Sequence, residues 1–303
     1  MDDNGNDADT DIDNEAYILL LLSDSNLPTG SFVASSGLES YLKHGFSSTS
    51  STSTITNFVQ DSLGAYARSA LPFVSDGHRV VESFKQQQQQ QHSENTTKGD
   101  DDSINKALKG LAALDDLYDV MTLNHVTRRA SKSQGIALLT LYSRGFSRPS
   151  PSSSSSSSAA EYSDCDQNPH LMDLLEKFKL MARREETYAH LPVCWGALTA
   201  ALGLSSERSR YLHLFLHARS LLSAAVRLNH IGPYLAQQLL MHTIRPMIAR
   251  EAVRCRDLRS GLLEEESTTN DFDEMIQGPA NTWPLGEILA ARHDLQHSRI
   301  FNS

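Results

Sequence analysis

The sequence predicts an all-α protein: a single helical-bundle domain of about eight to ten helices, interrupted by low-complexity insertions. Two observations support this prediction. Apolar residues recur at three-to-four spacing through most of the chain, which is the pattern of amphipathic helices. Alternating runs of Val, Ile and Thr, which would indicate strands, are absent. Typical helix lengths then give the expected number of helices for 303 residues.

The helical pattern is clearest in four stretches. Apolar residues repeat at helical spacing from Ile55 to Ala67 and again from Leu108 to Met121. The same spacing returns from Leu171 to Met181 and from Tyr211 to Ala225. Each stretch is long enough for an amphipathic helix, so each is predicted to pack its apolar stripe on a common core.

The stretch from Tyr211 to Leu228 is apolar on more than one face, so we expect this helix at the centre of the bundle. A boundary between two helices precedes this stretch. Gly203 suits the left-handed position that ends the first helix, and Ser205 can accept from the backbone amides that begin the second. One line along the helix carries mostly polar side chains, and a central helix needs partners for such groups. The members of this line are His213, His217, Ser220, Ala224 and Arg227.

Polar stretches interrupt the helical pattern at four places, and we predict that they are insertions or linkers. Each has too few apolar residues to repay the entropy of ordering it. Residues 1–15 carry seven acids and no Lys or Arg, which predicts a disordered acidic leader before a helical domain over 16–303. The four predicted insertions are 47–54, 86–103, 147–168 and 264–279.

Composition excludes several classes of function. The formal charge is -10, but seven of the acids lie in the leader, so the remainder is near -3 and lacks the basic footprint of a nucleic-acid-binding protein. No apolar run approaches the roughly 20 residues of a membrane span. The acidic start does not resemble a secretory or mitochondrial leader, so we expect a cytoplasmic protein. Three scattered cysteines without a CxxC pair indicate neither a disulfide framework nor a zinc knuckle.

Known catalytic patterns are missing from the sequence. There is no phosphate-binding GxxxxGK[ST] loop, no GxGxxG after a strand and no GxSxG turn. We therefore expect no enzymatic activity and no directly bound cofactor. His213/His217 and His293/His297 have the i,i+4 spacing that can chelate a transition metal. Neither pair has a third ligand at matching spacing, so we predict no metal site.

The last twenty residues combine an amphipathic segment with a charged, aromatic-tipped end. Leu285, Ile288 and Leu289 precede a run of Arg, His and Asp residues that ends at Phe301. The apolar residues gain nothing in water, so the segment is expected to dock on a surface. By pattern alone, a last helix that packs on its own domain is favoured over a partner-binding tail.

Five motifs, in order along the chain, resemble those of the urease accessory protein F family (UreF). Together they cover nearly the whole chain outside the low-complexity stretches, and Gly37 in the first of them is expected to lie inside a helix where another backbone approaches closely. The motifs are Leu27–Phe32 with Ser36–Glu39; Leu114–Leu117 followed by Arg128–Gly135; His190–Val193 with Trp195, Gly196 and Ala201–Gly203; Ala224–Leu228 with Gly232; and Ala291–Asp294 with Gln296, Ser298, Arg299 and Phe301.

This resemblance implies an all-helical, non-catalytic chaperone of urease maturation. Proteins of the family form homodimers and bridge the accessory protein UreD/UreH and the GTPase UreG. The complex helps to deliver nickel to the urease apoenzyme, with GTP bound and hydrolysed by UreG, so no cofactor is expected on this chain. The alternative is a helical nickel-binding protein that uses His213/His217 or His293/His297 directly.

The resemblance also implies which residues bind partners. The family's C-terminal tail becomes ordered when it binds UreD/UreH. Gly37 and Glu39 of the first motif are also expected to bind a partner. The polar line that ends at Arg227 is expected to face UreG or a water-filled passage for nickel; alternatively, Arg227 pairs with an internal carboxylate such as Glu39, because a buried Arg must be paired. The expected partner-binding residues of the tail are Arg292, His293, Asp294, Ser298, Arg299 and Phe301.

Overall fold

The regular elements are all helices in the computed structural model, which describes residues 6–44, 52–94, 100–146, 169–263 and 272–303. Within these ranges there is no strand, so the predicted all-α class is confirmed. No helix in the same ranges is long and apolar enough to cross a membrane.

Twelve α-helices lie in the described ranges, and nine of them have eight residues or more, in agreement with the expected eight to ten. The four predicted amphipathic stretches fall in the third, fourth, sixth and eighth helices. In chain order the helices are α1 (Asn6–Leu22), α2 (Leu38–Lys43), α3 (Thr52–Glu94), α4 (Asp100–Met121), α5 (His125–Leu141), α6 (Pro169–Arg183), α7 (Leu191–Ala201), α8 (Ser206–Arg227), α9 (Pro233–Gln238), α10 (Arg245–Arg254), α11 (Glu274–Gln277) and α12 (Pro284–Ala291). Shorter 3₁₀ turns cover Ser31–Val33 and Arg292–Leu295, and π-helical turns cover Tyr142–Phe146 and Leu239–Ile244.

Helix α7 occupies the centre of the fold, where it packs against α3, α5 and α8. It is apolar on every side, and all residues from Pro192 to Ala200 are buried. Its backbone lies directly on that of α3: a Cβ atom at Gly196 would stand 2.3 Å from the carbonyl oxygen of Val74, and one at Gly77 would stand 3.0 Å from that of Val193. The central position expected for Tyr211–Leu228 thus belongs to α7, and α8 lies beside it.

The carboxylate of Asp115 on α4 holds the loop that leads into α7. It accepts hydrogen bonds from the hydroxyl of Thr187 at 2.6 Å and from the backbone N–H groups of Tyr188, Ala189 and His190, each at 2.7 Å. Asp115 is completely buried. Four donors on one carboxylate satisfy a buried charge, which otherwise could not be left in the interior.

A Ser–His–Asp arrangement lies next to this loop. The imidazole of His190 is hydrogen-bonded to Asp119 at 3.0 Å and to Ser131 at 3.1 Å. These residue types form the triad of serine hydrolases, but here the hydroxyl oxygen of Ser131 accepts the first N–H of α7, from Leu191, and Asp119 is paired with Lys132 at 2.8 Å. Burial lowers the pKa of His190 against the pull of the nearby carboxylates. The arrangement therefore caps α7 and joins it to α4 and α5.

The described part of residues 1–15, which the sequence predicts to be a disordered leader, belongs to α1, which begins at Asn6. Glu15 accepts from the backbone N–H and the hydroxyl of Ser205, at 2.9 and 3.0 Å, and pairs with Arg208 at 2.8 Å. A carboxylate is stabilised at a helix N-terminus, so Glu15 caps α8. Ser205 donates to this cap instead of accepting from α8, whereas Gly203 takes the expected left-handed conformation, with φ of 84°.

Two predicted insertions contain ordered helix. Through the glutamine tract of 86–103, α3 continues to Glu94, and the buried Gln88 donates to the hydroxyl of Ser103 on α4 at 3.0 Å. In 264–279, the part from residue 272 onward contains α11, whose Met275 carbonyl accepts from Arg68 of α3 at 3.1 Å. Contacts with other helices offset the entropy that these polar segments lose when they become ordered, which the composition does not reveal. The predicted insertion 147–168, residues 47–51 and residues 264–271 lie outside the described residues.

We predict that Gly196→Ala lowers the free energy of unfolding by about 3 kcal/mol, because the added methyl group meets a backbone carbonyl that cannot turn away. Urea unfolding followed by far-ultraviolet circular dichroism measures this change. Gly64→Ala on α3 is the matched control: its Cβ has open space, so we expect stabilisation of about 0.5–1 kcal/mol from helix propensity. Equal effects of the two substitutions would show that the α3–α7 contact is not as close as described.

Candidate functional site

Glu39 on α2 is the anchor of the C-terminal segment, residues 292–303. Its carboxylate is completely buried and accepts from the backbone N–H groups of Ile300 at 2.8 Å and Phe301 at 3.2 Å. Lys43, one turn later, pairs with it at 3.0 Å. Burial opposes ionisation, but these donors and the ammonium of Lys43 outweigh burial and hold the pKa of Glu39 below its usual value. Glu39 is therefore charged and committed to the chain's own tail.

Backbone pairing continues to the last residue. The N–H of Asn302 donates to the carbonyl of Val33 at 2.8 Å, and the N–H of Ser35 donates to the carbonyl of Ser303. The end of the chain thus runs along residues 33–35, which begin with the last residue of the first 3₁₀ turn and lead toward α2. This extended pairing fixes the position of the Phe301 side chain, which is 2% exposed.

Gly37 allows the C-terminal helix to approach α2. It precedes α2 as the N-cap with φ of 85°, so the expectation that it lies inside a helix is wrong. A Cβ atom at this position would stand 3.3 Å from the Cβ of Ala290 on α12. The expected close approach is therefore present, and only glycine readily adopts this backbone conformation.

Arg227, at the end of α8, lies between two aromatic rings. Its guanidinium carbon is 3.8 Å from the ring centre of Phe32 and 4.4 Å from that of Phe301, and it donates to the carbonyl of Phe32. Burial lowers the pKa of Arg227. No ion pair joins it to a carboxylate in the described part of the chain, so the alternative pairing with Glu39 is wrong. Cation–π contacts replace that pairing.

Asp294 is the centre of an exposed ionic cluster. It accepts two hydrogen bonds from Arg129 of α5, both at 3.1 Å, and pairs with Arg299 at 2.6 Å and with His125 at 3.2 Å. The hydrogen bonds from Arg129 are the main cause that lowers the pKa of Asp294 to about 2. The cluster ties the second 3₁₀ turn to the start of α5.

The tail docks on its own chain, which is the outcome that the helical pattern alone favoured. Among the residues expected to bind a partner, His293, Phe301, Gly37 and Glu39 are buried, and Asp294 is half-buried. Arg292, Ser298 and Arg299 are exposed. In the docked state only the exposed members can contact a partner, so their role in partner binding stays a prediction.

Four large apolar side chains are exposed on the tail, on α12 and on the loop before α5, and we call this set the apolar patch. It is formed by Leu123, Ile288, Leu295 and Ile300, with 81%, 59%, 72% and 61% of their surfaces exposed. The loop before α5 is joined to α12 because Asn124 donates to the carbonyl of Glu287 at 2.9 Å. No local pattern predicts the patch, since its members come from separate segments that only the fold brings together.

A cavity of about 260 Å³, with a mostly apolar lining and one line of polar side chains, lies between α3, α5, α8 and α12. Four residues of the predicted polar line face it: His213, His217, Ser220 and Arg227. Polar groups from other segments complete the lining, including Tyr66, Ser131, Glu287 and the C-terminal Ser303. The polar line of α8 is thus directed into the cavity, where its polar groups can find partners.

The two histidines in the cavity are held neutral. Tyr66 stacks on both imidazoles, with ring centres 5.3 Å from His213 and 4.1 Å from His217. Burial lowers the pKa of His213 to about 3, with a contribution from His217, and burial lowers the pKa of His217 to about 4. Their Nε2 atoms are hydrogen-bonded to Tyr66 at 2.8 Å and to Ser62 at 3.0 Å.

The second histidine pair does not form the predicted geometry. α12 ends at Ala291, so His293 and His297 do not share a helix face. His293 is completely buried and donates from Nε2 to the carbonyl of Phe301 at 3.0 Å, whereas His297 is exposed. Among the described residues, no group of three or more His, Cys, Asp or Glu side chains could hold a metal ion.

Comparison with known proteins identifies relatives over most of this chain. The family model described as UreF matches residues 49–244. Urease accessory protein 6 of Cryptococcus neoformans var. grubii is 41% identical over 320 residues, which cover 95% of this chain and 97% of that protein. The uncharacterized urease accessory protein UreF-like of Schizosaccharomyces pombe is 27% identical over 294 residues, covering 97% and 100%. Urease accessory protein F of Oryza sativa subsp. indica is 26% identical over 257 residues, covering 85% and 78%.

We predict that the cavity histidines reduce stability in acid. The unfolded chain protonates histidine near pH 6.5, but the folded chain does so only near the lowered values of about 3 and about 4. Stability should therefore fall as the pH decreases from about 6.5 to 4, by up to about 1.4 kcal/mol per pH unit for each histidine. Urea unfolding at a series of pH values measures this slope.

The double variant His213→Gln/His217→Gln should lose the part of the pH dependence of stability that comes from these two histidines. His242→Gln, an exposed position on the second π-helical turn, is the control and should retain it. An unchanged slope in the double variant would contradict the prediction.

Proposed function

Because this chain belongs to the UreF family, we propose that it is a cytosolic, non-catalytic chaperone that bridges UreD/UreH and the GTPase UreG during urease maturation. The family is one of accessory rather than catalytic proteins, and it implies partnership with the urease maturation machinery. The homodimer, the two named partners and the GTP-dependent delivery of nickel to the urease apoenzyme belong to the proposal. They are supported by the five motifs that resemble the family.

The observation that supports a docking role best is the exposed apolar patch of Leu123, Ile288, Leu295 and Ile300. All four side chains are more than half exposed, and burying them on a partner would be favourable. We propose that UreD/UreH binds this patch together with the exposed residues of the tail.

The rim of the patch carries positive charge. Arg292 and Arg299 are exposed beside it, and Arg129 is half exposed across from them. Asp294 is engaged by two of these arginines and neutralises part of the charge. A partner surface with apolar side chains and an acidic rim would complement this face, and the charges would favour rapid association.

We predict that Ile288→Asp/Leu295→Asp weakens capture of UreD/UreH at least tenfold, because the double variant places two charges where apolar contact is expected. Co-purification of the full chain with tagged UreD/UreH, followed by titration of the complex, measures the loss. Met275→Asp, at an 88% exposed position on α11, is the control and should bind normally. Unchanged capture by the double variant would remove the patch from the proposed interface.

We also propose that the cavity is the passage for nickel and that its Arg227 end faces UreG. Two observations support a passage. Polar side chains along one line of α8 line the cavity, and His213 and His217 among them are neutral. Neutral imidazoles and hydroxyls do not repel a divalent cation, and imidazole nitrogen is a ligand type that suits nickel. Direct nickel storage has less support, because the two Nε2 atoms are bonded to hydroxyls.

We predict that Ser220→Phe slows nickel-dependent activation of urease in the reconstituted complex at least fivefold, because the ring fills part of the cavity. Assembly with UreD/UreH and UreG, measured by co-purification, should be unaffected. Ser133→Phe on the exposed side of α5 is the control and should leave the activation rate unchanged. Normal activation by Ser220→Phe would contradict the passage.

A further inference from the structure

The cavity lining contains an acidic side chain without a cationic partner. Two acidic side chains of the described residues line the cavity, Asp24 and Glu287. Burial lowers the pKa of Arg219, which also lines the cavity, and the charge of Asp24 opposes this shift, so these two charges offset each other. No Lys or Arg of the described residues pairs with Glu287 on α12 in the same way. The charge of Glu287 is therefore left unbalanced.

The carboxyl group of Glu287 is also short of hydrogen-bond donors. Burial raises its pKa, and hydrogen bonds with the side chains of Asn124 and Asn281 oppose this shift only in part. Its Oε2 atom is buried and has no hydrogen-bond partner among the described residues. A cation that comes close would stabilise this carboxylate, because opposite charges attract more strongly where water is scarce.

The lining suits an organic cation better than a metal ion. Four aromatic side chains line the cavity: Tyr66, Tyr118, Trp195 and Trp283. The faces of such rings attract ammonium groups, and the rings also offer contact to an apolar body. A metal ion needs several ligands, and no group of three or more His, Cys, Asp or Glu side chains in the described ranges could hold one.

The cavity has the size and the access that a small ligand needs. Its volume of about 260 Å³ exceeds the roughly 150 Å³ of an apolar cavity that holds benzene. Three of its lining residues, Asp24, Phe32 and Asn281, are exposed, so the cavity reaches the protein surface. Asn281 is also a hydrogen-bond partner of Glu287. The carboxylate therefore lies next to a point of entry.

We propose that the cavity binds a small organic ammonium ion. The ammonium group pairs with Glu287, and an apolar body of about one ring packs among the aromatic side chains. The ligand class is a primary amine on a short aromatic or aliphatic chain. Binding needs neither nickel nor another protein, so the site does not depend on the proposed function. A ligand seated there would obstruct the proposed passage for nickel, and only this consequence rests on that function.

Tryptophan fluorescence reports binding directly, because both tryptophans of the chain, Trp195 and Trp283, line the cavity. The probe is phenethylammonium, and 2-phenylethanol is its neutral counterpart. We expect a saturable change in emission and at least tenfold tighter binding of the ammonium than of the alcohol. In Glu287→Gln the two affinities should agree within twofold, because the charge that distinguishes the probes is gone.

Two further variants serve as controls for the charge and for the location. Glu274→Gln, at an exposed position on α11, should retain the preference for the ammonium. Ser220→Phe fills part of the cavity and should weaken the binding of both probes at least fivefold. The proposal is overturned by equal affinities of the two probes for the parent chain, by an unchanged preference in Glu287→Gln, or by no saturable change with either probe.

Nickel-dependent activation of urease in the presence of phenethylammonium separates this site from the proposed function. Slower activation supports both the site and the passage. If the probe binds as expected and the activation rate is unchanged, the ammonium site stands and the passage through the cavity is refuted.

Discussion

The contact between the backbones of α3 and α7 is the constraint on which the rest of the fold depends. Gly196 and Gly77 let the two helices meet without side chains between them, and α7 becomes a helix with no polar face. The backbone N–H groups at the N-terminus of α7 have no partner within the helix and need acceptors from other helices. The carboxylate of Asp115 on α4 and the hydroxyl of Ser131 on α5 are these acceptors. The position of α7 in turn leaves α8 beside it, with one line of polar side chains facing the cavity.

The two histidines that α8 directs into that cavity are polar without being charged. His213 and His217 stay neutral under burial and are satisfied by Tyr66 and Ser62. Arg227, at the end of α8, is sandwiched between aromatic rings. This arrangement avoids the large cost of a buried unpaired charge.

Docking of the tail on its own chain changes how a partner-binding role has to be understood. Glu39 and the backbone of residues 33–35 already satisfy the polar groups of residues 300–303. A partner that takes the tail competes with these contacts, and the affinity it shows is reduced by the free energy of undocking. The four exposed apolar side chains are free of this competition, so a partner can contact them without undocking the tail.

The sequence by itself determined the helical class, the four amphipathic helices α3, α4, α6 and α8, and the family, because periodicity and short motifs are local properties of the chain. It also indicated that the polar line of α8 needs internal partners. Only the tertiary structure decided the central place of α7, the helical state of the glutamine tract and the pairing of Glu39 with Ile300 and Phe301. Each of these depends on groups far apart in sequence, and a polar segment such as the one around Gln88 orders only because Ser103 of another helix meets it.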